Sequence, residues 1–156
     1  LGHLDIIDAI SKTFDRVVVA ILINPEKTPM FTTEERKSMI ERVIAEQGYQ
    51  NVTVEVFGGW AVDGAKNNNA CAIIRGLRLT ADFEFELNYA FNTRKLDPNI
   101  EVVWIPPQQE HLHISSTVAR QYAKGQRYDA LAEYVPELVL KALRKKTAPE
   151  PQPRWP

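Results

Sequence analysis

Residues 16–23 read Arg-Val-Val-Val-Ala-Ile-Leu-Ile, an almost unbroken apolar run between Asp15 and Pro25. A strand with one solvated face alternates apolar and polar residues. A continuous run suits a strand covered on both faces, the situation in parallel sheets flanked by helices. Residues 52–57, 70–74 and 101–105 supply three more strand candidates. Helical patterns separate them. Thr32 and Glu35 form a capping box before Met39, Ile40, Val43 and Ile44, and Gly48 supplies the stop. A weaker helical pattern covers 60–68. A stronger one covers 82–94, with Phe83, Leu87 and Phe91 at helical spacing. Residues 116–124 precede Gly125, and Pro136 divides 128–146 into two helices. Strands that alternate with helices imply a parallel α/β sheet.

The opening helix, expected over 2–14, carries Leu4, Ile6, Ile7, Ile10 and Phe14 on an apolar face that needs a sheet to cover. In a βαβ unit such a helix follows a strand. The pattern therefore implies a strand upstream of Leu1 that this sequence does not include. Residues 147–156 hold four prolines in ten positions and read as a flexible tail or a vector remnant, leaving 1–146 as one domain.

The chain has 156 residues, a net charge of −1, 44% hydrophobic and 25% charged residues, which fits one ordinary domain with a proper core. No basic excess points to nucleic acid or an anionic membrane. No apolar run approaches the roughly 18 to 20 residues that span a bilayer. Cys71, the single cysteine, sits in an apolar strand pattern and reads as core. His111 and His113 are not spaced with Cys or acids as a zinc site would be, so no metal ligands are assigned.

The chemistry concentrates where strands end. After 70–74 come Arg75 and Arg78, separated by Gly76 and Leu77, and a helix pattern follows. Guanidinium groups grip phosphate with a planar fork of donors. Ligands of open α/β sheets bind at the carboxyl ends of the strands. Two arginines there suit a polyphosphate, and they suit equally a surface ion-pair set with Asp82, Glu84 and Glu86. Ser115, Ser116 and Thr117 open another helix, where hydroxyls and free N–H groups can cradle phosphate or simply cap the helix. His3 stands at a helix start and Lys27 in a loop after a strand; each has a plain surface reading beside a functional one.

Together, Gly2-His3, the segment NPEKTPMFTTEER at 24–36, IRGLR at 74–78 with ADFEFE at 81–86, and ISST at 114–117 resemble the bacterial phosphopantetheine adenylyltransferase family of nucleotidyltransferases. The likeness runs from Leu1 to about Leu143. The family's first strand and its Gly-Ser/Thr-Phe-Asp-Pro turn fall outside this sequence.

The resemblance implies a Rossmann-like α/β domain, with five parallel strands in the intact protein and C-terminal helices on the sheet. It implies adenylyl transfer from ATP to 4′-phosphopantetheine, giving dephospho-coenzyme A and pyrophosphate, with magnesium accompanying ATP. His3 and Lys27 are the implied catalytic residues. His3, Arg78, Glu86, Ser115, Ser116 and Thr117 are implied to hold ATP. Lys27, Trp60, Ala61 and Arg75 are implied to hold the acceptor, although Trp60 reads as well as a core residue. A cytoplasmic homohexamer with coenzyme A as a feedback ligand is the family expectation. Two alternatives stay open: another phosphorylated acceptor, such as nicotinamide mononucleotide or glycerol 3-phosphate, and a nucleotide- or coenzyme A-binding module without activity.

Overall fold

The computed structural model describes residues 1–23 and 28–148. The chain divides into two compact units, one formed by residues 2–113 and the other by Leu1 with the residues from Ile114 onward. Lys27 and the proline-rich stretch from 149 lie outside the described residues.

The larger unit runs α1 (Gly2–Ser11), β1 (Val17–Ile23), α2 (Thr33–Gln47), β2 (Val52–Gly58), α3 (Ala61–Asn67), β3 (Ala72–Gly76), α4 (Thr80–Leu96), β4 (Glu101–Ile105) and a 3-10 turn, Gln109–His111. Strand and helix alternate as the apolar runs require. β1 pairs in parallel with β2 from Val17 opposite Val52 to Ile23 opposite Gly58. β3 pairs in parallel with β4 from Ala72 opposite Glu101 to Gly76 opposite Ile105. Among the described residues these are two separate ladders, and none joins β1 to β3. Four strands are described, against the five expected of the intact fold.

Apolar packing spans what the ladders do not. Ile7 and Ile10 of α1 are buried with Val17 and Ile21 of β1, Ile44 of α2, and Val52 and Val54 of β2. Ile74 of β3 and Ile105 of β4 pack against the same cluster. Burying each such side chain contributes roughly 1.5–3 kcal/mol. The Cδ1 of Ile6 sits so close to Gly76 that a Cβ there would meet it at 2.6 Å. α1 thus rests directly on the end of β3.

Several element ends follow from local chemistry. Thr32 accepts from the Glu35 N–H at 3.1 Å, and the Glu35 carboxylate accepts from the Thr32 N–H at 2.8 Å. Gly48 closes α2 in the left-handed conformation at φ 76°, which a residue without Cβ adopts freely. α1 ends at Ser11, three residues earlier than its apolar pattern, and Phe14 still packs on the core.

β3 departs more from expectation. The Ala70 N–H bonds back to the Ala65 carbonyl at 2.9 Å, so Ala70 closes α3 and is unavailable to the strand. The strand begins at Ala72 and takes in Arg75, opposite Trp104. Cys71, expected in the core, is exposed at this turn.

In the smaller unit, α5 (Ser116–Lys124), α6 (Tyr128–Leu131) and α7 (Glu137–Thr147) pack Ala123, Leu131, Leu140 and Leu143 out of water. Pro136 caps α7, the break its fixed geometry predicts. The rings of Tyr122 and Tyr134 meet edge to face, centroids 5.3 Å apart.

Candidate functional site

Arg75 belongs to the last turn of the β3 ladder, and its side chain is claimed by α4. Its Nε donates to Glu86 Oε2 at 2.5 Å and its Nη2 to Glu86 Oε1 at 2.7 Å, a side-on bidentate pair. The Tyr89 ring, one turn further along α4, covers the guanidinium with Cζ 4.2 Å from the centroid. Glu86 is only 6% exposed, so it is no surface acid. Its hydrogen bonds raise the Arg75 pKa above the ordinary value against the opposing effect of burial. Both carboxylate oxygens of Glu86 hold the arginine, which makes this acid a support for Arg75 first.

Arg78 follows two residues after β3 and pairs with Asp82 across one turn at 3.5 Å. α4 begins at Thr80, earlier than the pattern of phenylalanines suggests, and this places Asp82 in its first turn. An acid there is favoured by the helix dipole. Both arginines are thus paired within the protein, Arg78 in a surface ion pair with Asp82 and Arg75 in a largely buried one with Glu86. Leu77, Arg78, Leu79, Thr80 and Phe83 line a shallow pocket at this edge.

His3 lies in the first turn of α1 and is exposed. Desolvation lowers its pKa below the usual 6.5, and the charges of the N-terminal amine and then of Arg78 add in the same direction. The imidazole is therefore neutral at pH 7. A neutral imidazole still donates one N–H to an anion.

The same turn of α1 holds a residue that sequence reading missed. Asp5 Oδ2 accepts from the Gln108 N–H at 3.0 Å and lies 2.7 Å from His111 Nδ1. Pro107 and His111 also close over Gly2. The connection that leaves β4 is thereby fastened across the start of α1, beside His3. No sequence signal links residues 103 and 106 positions apart.

Trp60 and Ala61 follow β2. Trp60 is 72% exposed at the N-cap of α3, which rules out its reading as core. Gly64 allows α3 to lie on Phe57, whose ring would stand 3.0 Å from an added Cβ.

In the smaller unit Ser115 caps α5, its Oγ accepting from the Val118 N–H at 3.2 Å. Arg120, another residue that sequence reading missed, reaches back along the helix. Its Nη1 donates to Ser116 Oγ and its Nη2 to Thr117 Oγ1, both at 3.2 Å. A cation three and four residues after two hydroxyls is the available signal, since those positions share a helix face. Hydroxyls, amides at a helix start and a guanidinium make an anion-compatible surface.

The larger unit thus carries Arg75, Arg78 and Glu86 at the end of β3 and in the first half of α4, and His3 at the start of α1. Ser115, Ser116 and Thr117 form their own group on α5, and Lys27 lies outside the described residues.

A family model described as cytidylyltransferase-like matches residues 1–122. The phosphopantetheine adenylyltransferase of Alkaliphilus metalliredigens (strain QYMF) is 42% identical over 146 residues, covering 94% of this chain and 90% of that protein. That of Alkaliphilus oremlandii (strain OhILAs) is 44% identical over 123 residues, covering 79% and 77%. The enzyme of the same name from Methylacidiphilum infernorum (isolate V4) is 36% identical over 148 residues, covering 94% and 83%.

Proposed function

This chain belongs to the cytidylyltransferase-like family and within it to the phosphopantetheine adenylyltransferases, and we propose that it transfers an adenylyl group from ATP to 4′-phosphopantetheine. The products are dephospho-coenzyme A and pyrophosphate, a step of coenzyme A biosynthesis. The observation that carries this reading is the placement of Arg75, held by Glu86, and of Arg78 at the carboxyl end of β3, with His3 in the first turn of the helix that rests on that strand end. It supplies positive charge and a neutral donor where a parallel sheet takes its ligands.

The reaction needs no enzyme nucleophile. An oxygen of the acceptor phosphate attacks the α-phosphorus of ATP, the new P–O bond forms there, and the bond to the β-phosphate bridge breaks. Pyrophosphate leaves with that electron pair. Catalysis of this kind comes from alignment and charge stabilisation. We assign Arg75 and Lys27 to the acceptor phosphate, with Lys27 also neutralising charge as the two anions approach. Arg78, Ser115, Ser116 and Thr117 go to the ATP phosphates, and His3 goes to the α-phosphate, where negative charge grows during attack. Glu86 goes to the nucleotide side by the resemblance, while its two carboxylate oxygens hold Arg75 for the acceptor phosphate. Trp60 and Ala61 go to the pantetheine arm, since an exposed indole beside a strand end offers apolar surface.

Magnesium would enter bound to ATP and would offset phosphate charge there. Among the described residues no cluster of three His, Cys, Asp or Glu side chains is set to grip a cation. The chain's own contribution is through arginine, lysine, imidazole and amide groups. A cytoplasmic homohexamer with coenzyme A as a feedback ligand completes the proposal. Its support is the family resemblance.

The test is direct. The protein is incubated with ATP, magnesium and 4′-phosphopantetheine, and dephospho-coenzyme A and pyrophosphate are measured by chromatography and mass. Parallel reactions take nicotinamide mononucleotide or glycerol 3-phosphate as acceptor. Product with another acceptor and none with 4′-phosphopantetheine overturns the reading; binding of both substrates without any product favours a non-catalytic module.

A further inference from the structure

We propose that Tyr89 is a positioning residue for the acceptor phosphate, acting through Arg75. The proposal deepens the function above and rests on its assignment of Arg75 to that phosphate.

A long arginine side chain ordinarily loses much rotamer freedom when it binds an anion. Here that freedom is already removed. A guanidinium carries five N–H donors, and two of them go to Glu86, from Nε and Nη2. The side-on pairing fixes the plane of the group along one edge. The Tyr89 ring fixes it from the face, with Cζ 4.2 Å from the ring centroid. Glu86 and Tyr89 are three residues apart on α4 and so project from the same side of that helix. The N–H groups not given to Glu86 lie on the edge away from the carboxylate, formed by Nη1 and the outer side of Nη2. That edge matches two oxygens of a phosphate. Arg75 keeps 29% of its side chain open to solvent, against 8% for Glu86, so the pair offers the arginine and hides the acid.

Cation–π contact also suits the chemistry. The ring attracts the guanidinium through its quadrupole and adds no formal charge. A second carboxylate in that place would repel the phosphate. Tyr89 thereby holds the arginine flat while leaving its charge available.

The experiment measures steady-state kinetics on the full protein with Tyr89→Leu, Tyr89→Phe and Arg75→Ala. Tyr89→Leu should raise KM for 4′-phosphopantetheine about 3- to 10-fold, with kcat and KM for ATP nearly unchanged. Tyr89→Phe keeps the ring and should restore near-native values. Pantetheine, which lacks the phosphate, should bind native protein and Tyr89→Leu equally well by calorimetry. That arm separates phosphate recognition from a damaged pocket and reads binding even where turnover is poor. An unchanged KM in Tyr89→Leu, or a Tyr89→Phe as impaired as Tyr89→Leu, overturns the proposal. If Arg75→Ala also leaves that KM unchanged, the assignment of Arg75 falls with it; if Arg75→Ala alone raises KM, only the role of Tyr89 is lost.

Discussion

Asp5 Oδ2 lies 2.7 Å from His111 Nδ1, and both side chains are largely buried, at 14% and 19% exposure. The same oxygen takes the Gln108 N–H. One acid on α1 therefore holds the connection after β4 at two points, one side chain and one backbone.

Asp5→Ala should destabilise the protein by about 1–3 kcal/mol, because it strands a buried ring nitrogen and frees a backbone donor. His111→Ala should cost less, since Asp5 keeps the Gln108 N–H. The double variant should fall short of the sum by about 1 kcal/mol, as contacting residues do. Urea unfolding of the four proteins tests this. Strict additivity would show that the two side chains do not couple.

Glu86→Gln should cost about 1–3 kcal/mol, since it leaves the Arg75 guanidinium partly buried beside a weaker, neutral partner. Replacing both residues, Arg75→Met with Glu86→Leu, should recover much of that loss, because a well-packed apolar pair often matches a buried ion pair in stability. The double variant should nonetheless lose 4′-phosphopantetheine binding. Melting curves and calorimetry on the same samples make the comparison. Recovery of stability together with retained binding would remove Arg75 from the site.

His3→Ala should lower turnover by at least ~10²-fold, by analogy with removing one donor to a developing oxyanion. Its effect on ATP affinity should be much smaller, because a group that meets transition-state charge acts there selectively. Single-turnover rates and nucleotide titration separate the two. Equal losses in both would reassign His3 to ordinary binding.

The titration of His3 has a definite sign. Its folded pKa lies below 6.5 through desolvation, with Arg78 adding to the effect. The unfolded chain therefore binds the proton first as pH falls. The stability linked to neutral His3 is fully present above 6.5 and is lost as pH drops toward the folded value. Native protein should weaken relative to His3→Gln across that interval in urea midpoints. Arg78→Ala should move the His3 titration upward in NMR, and bound ATP should also move it upward. A downward shift with ATP would place the phosphates elsewhere.

Local chemistry made much of this architecture readable in advance. The box of Thr32 and Glu35, the stop at Gly48 and the helix from Ser116 to Lys124 are decided within a few residues, and they stand where the pattern puts them. β3 was misjudged by two residues because Ala70 looked apolar enough for a strand, while its N–H was already committed to α3. Cys71 followed it into exposure. At the site, residue types and strand ends marked Arg75, Arg78 and His3. Sequence could not give Glu86 its partner, since any of three nearby acids could have served. Nor could it find Asp5 with His111, or Tyr89 over Arg75, which depend on how α1 and α4 lie against the strand ends.

The two strand ladders share no described backbone bonds, while α1 presses Ile7 and Ile10 into one and Ile6 against Gly76 at the end of the other. One helix thus touches both ladders, and His3 belongs to its first turn. A large-to-small change at Ile6 or Ile7 should therefore be felt at His3 as well as in the core.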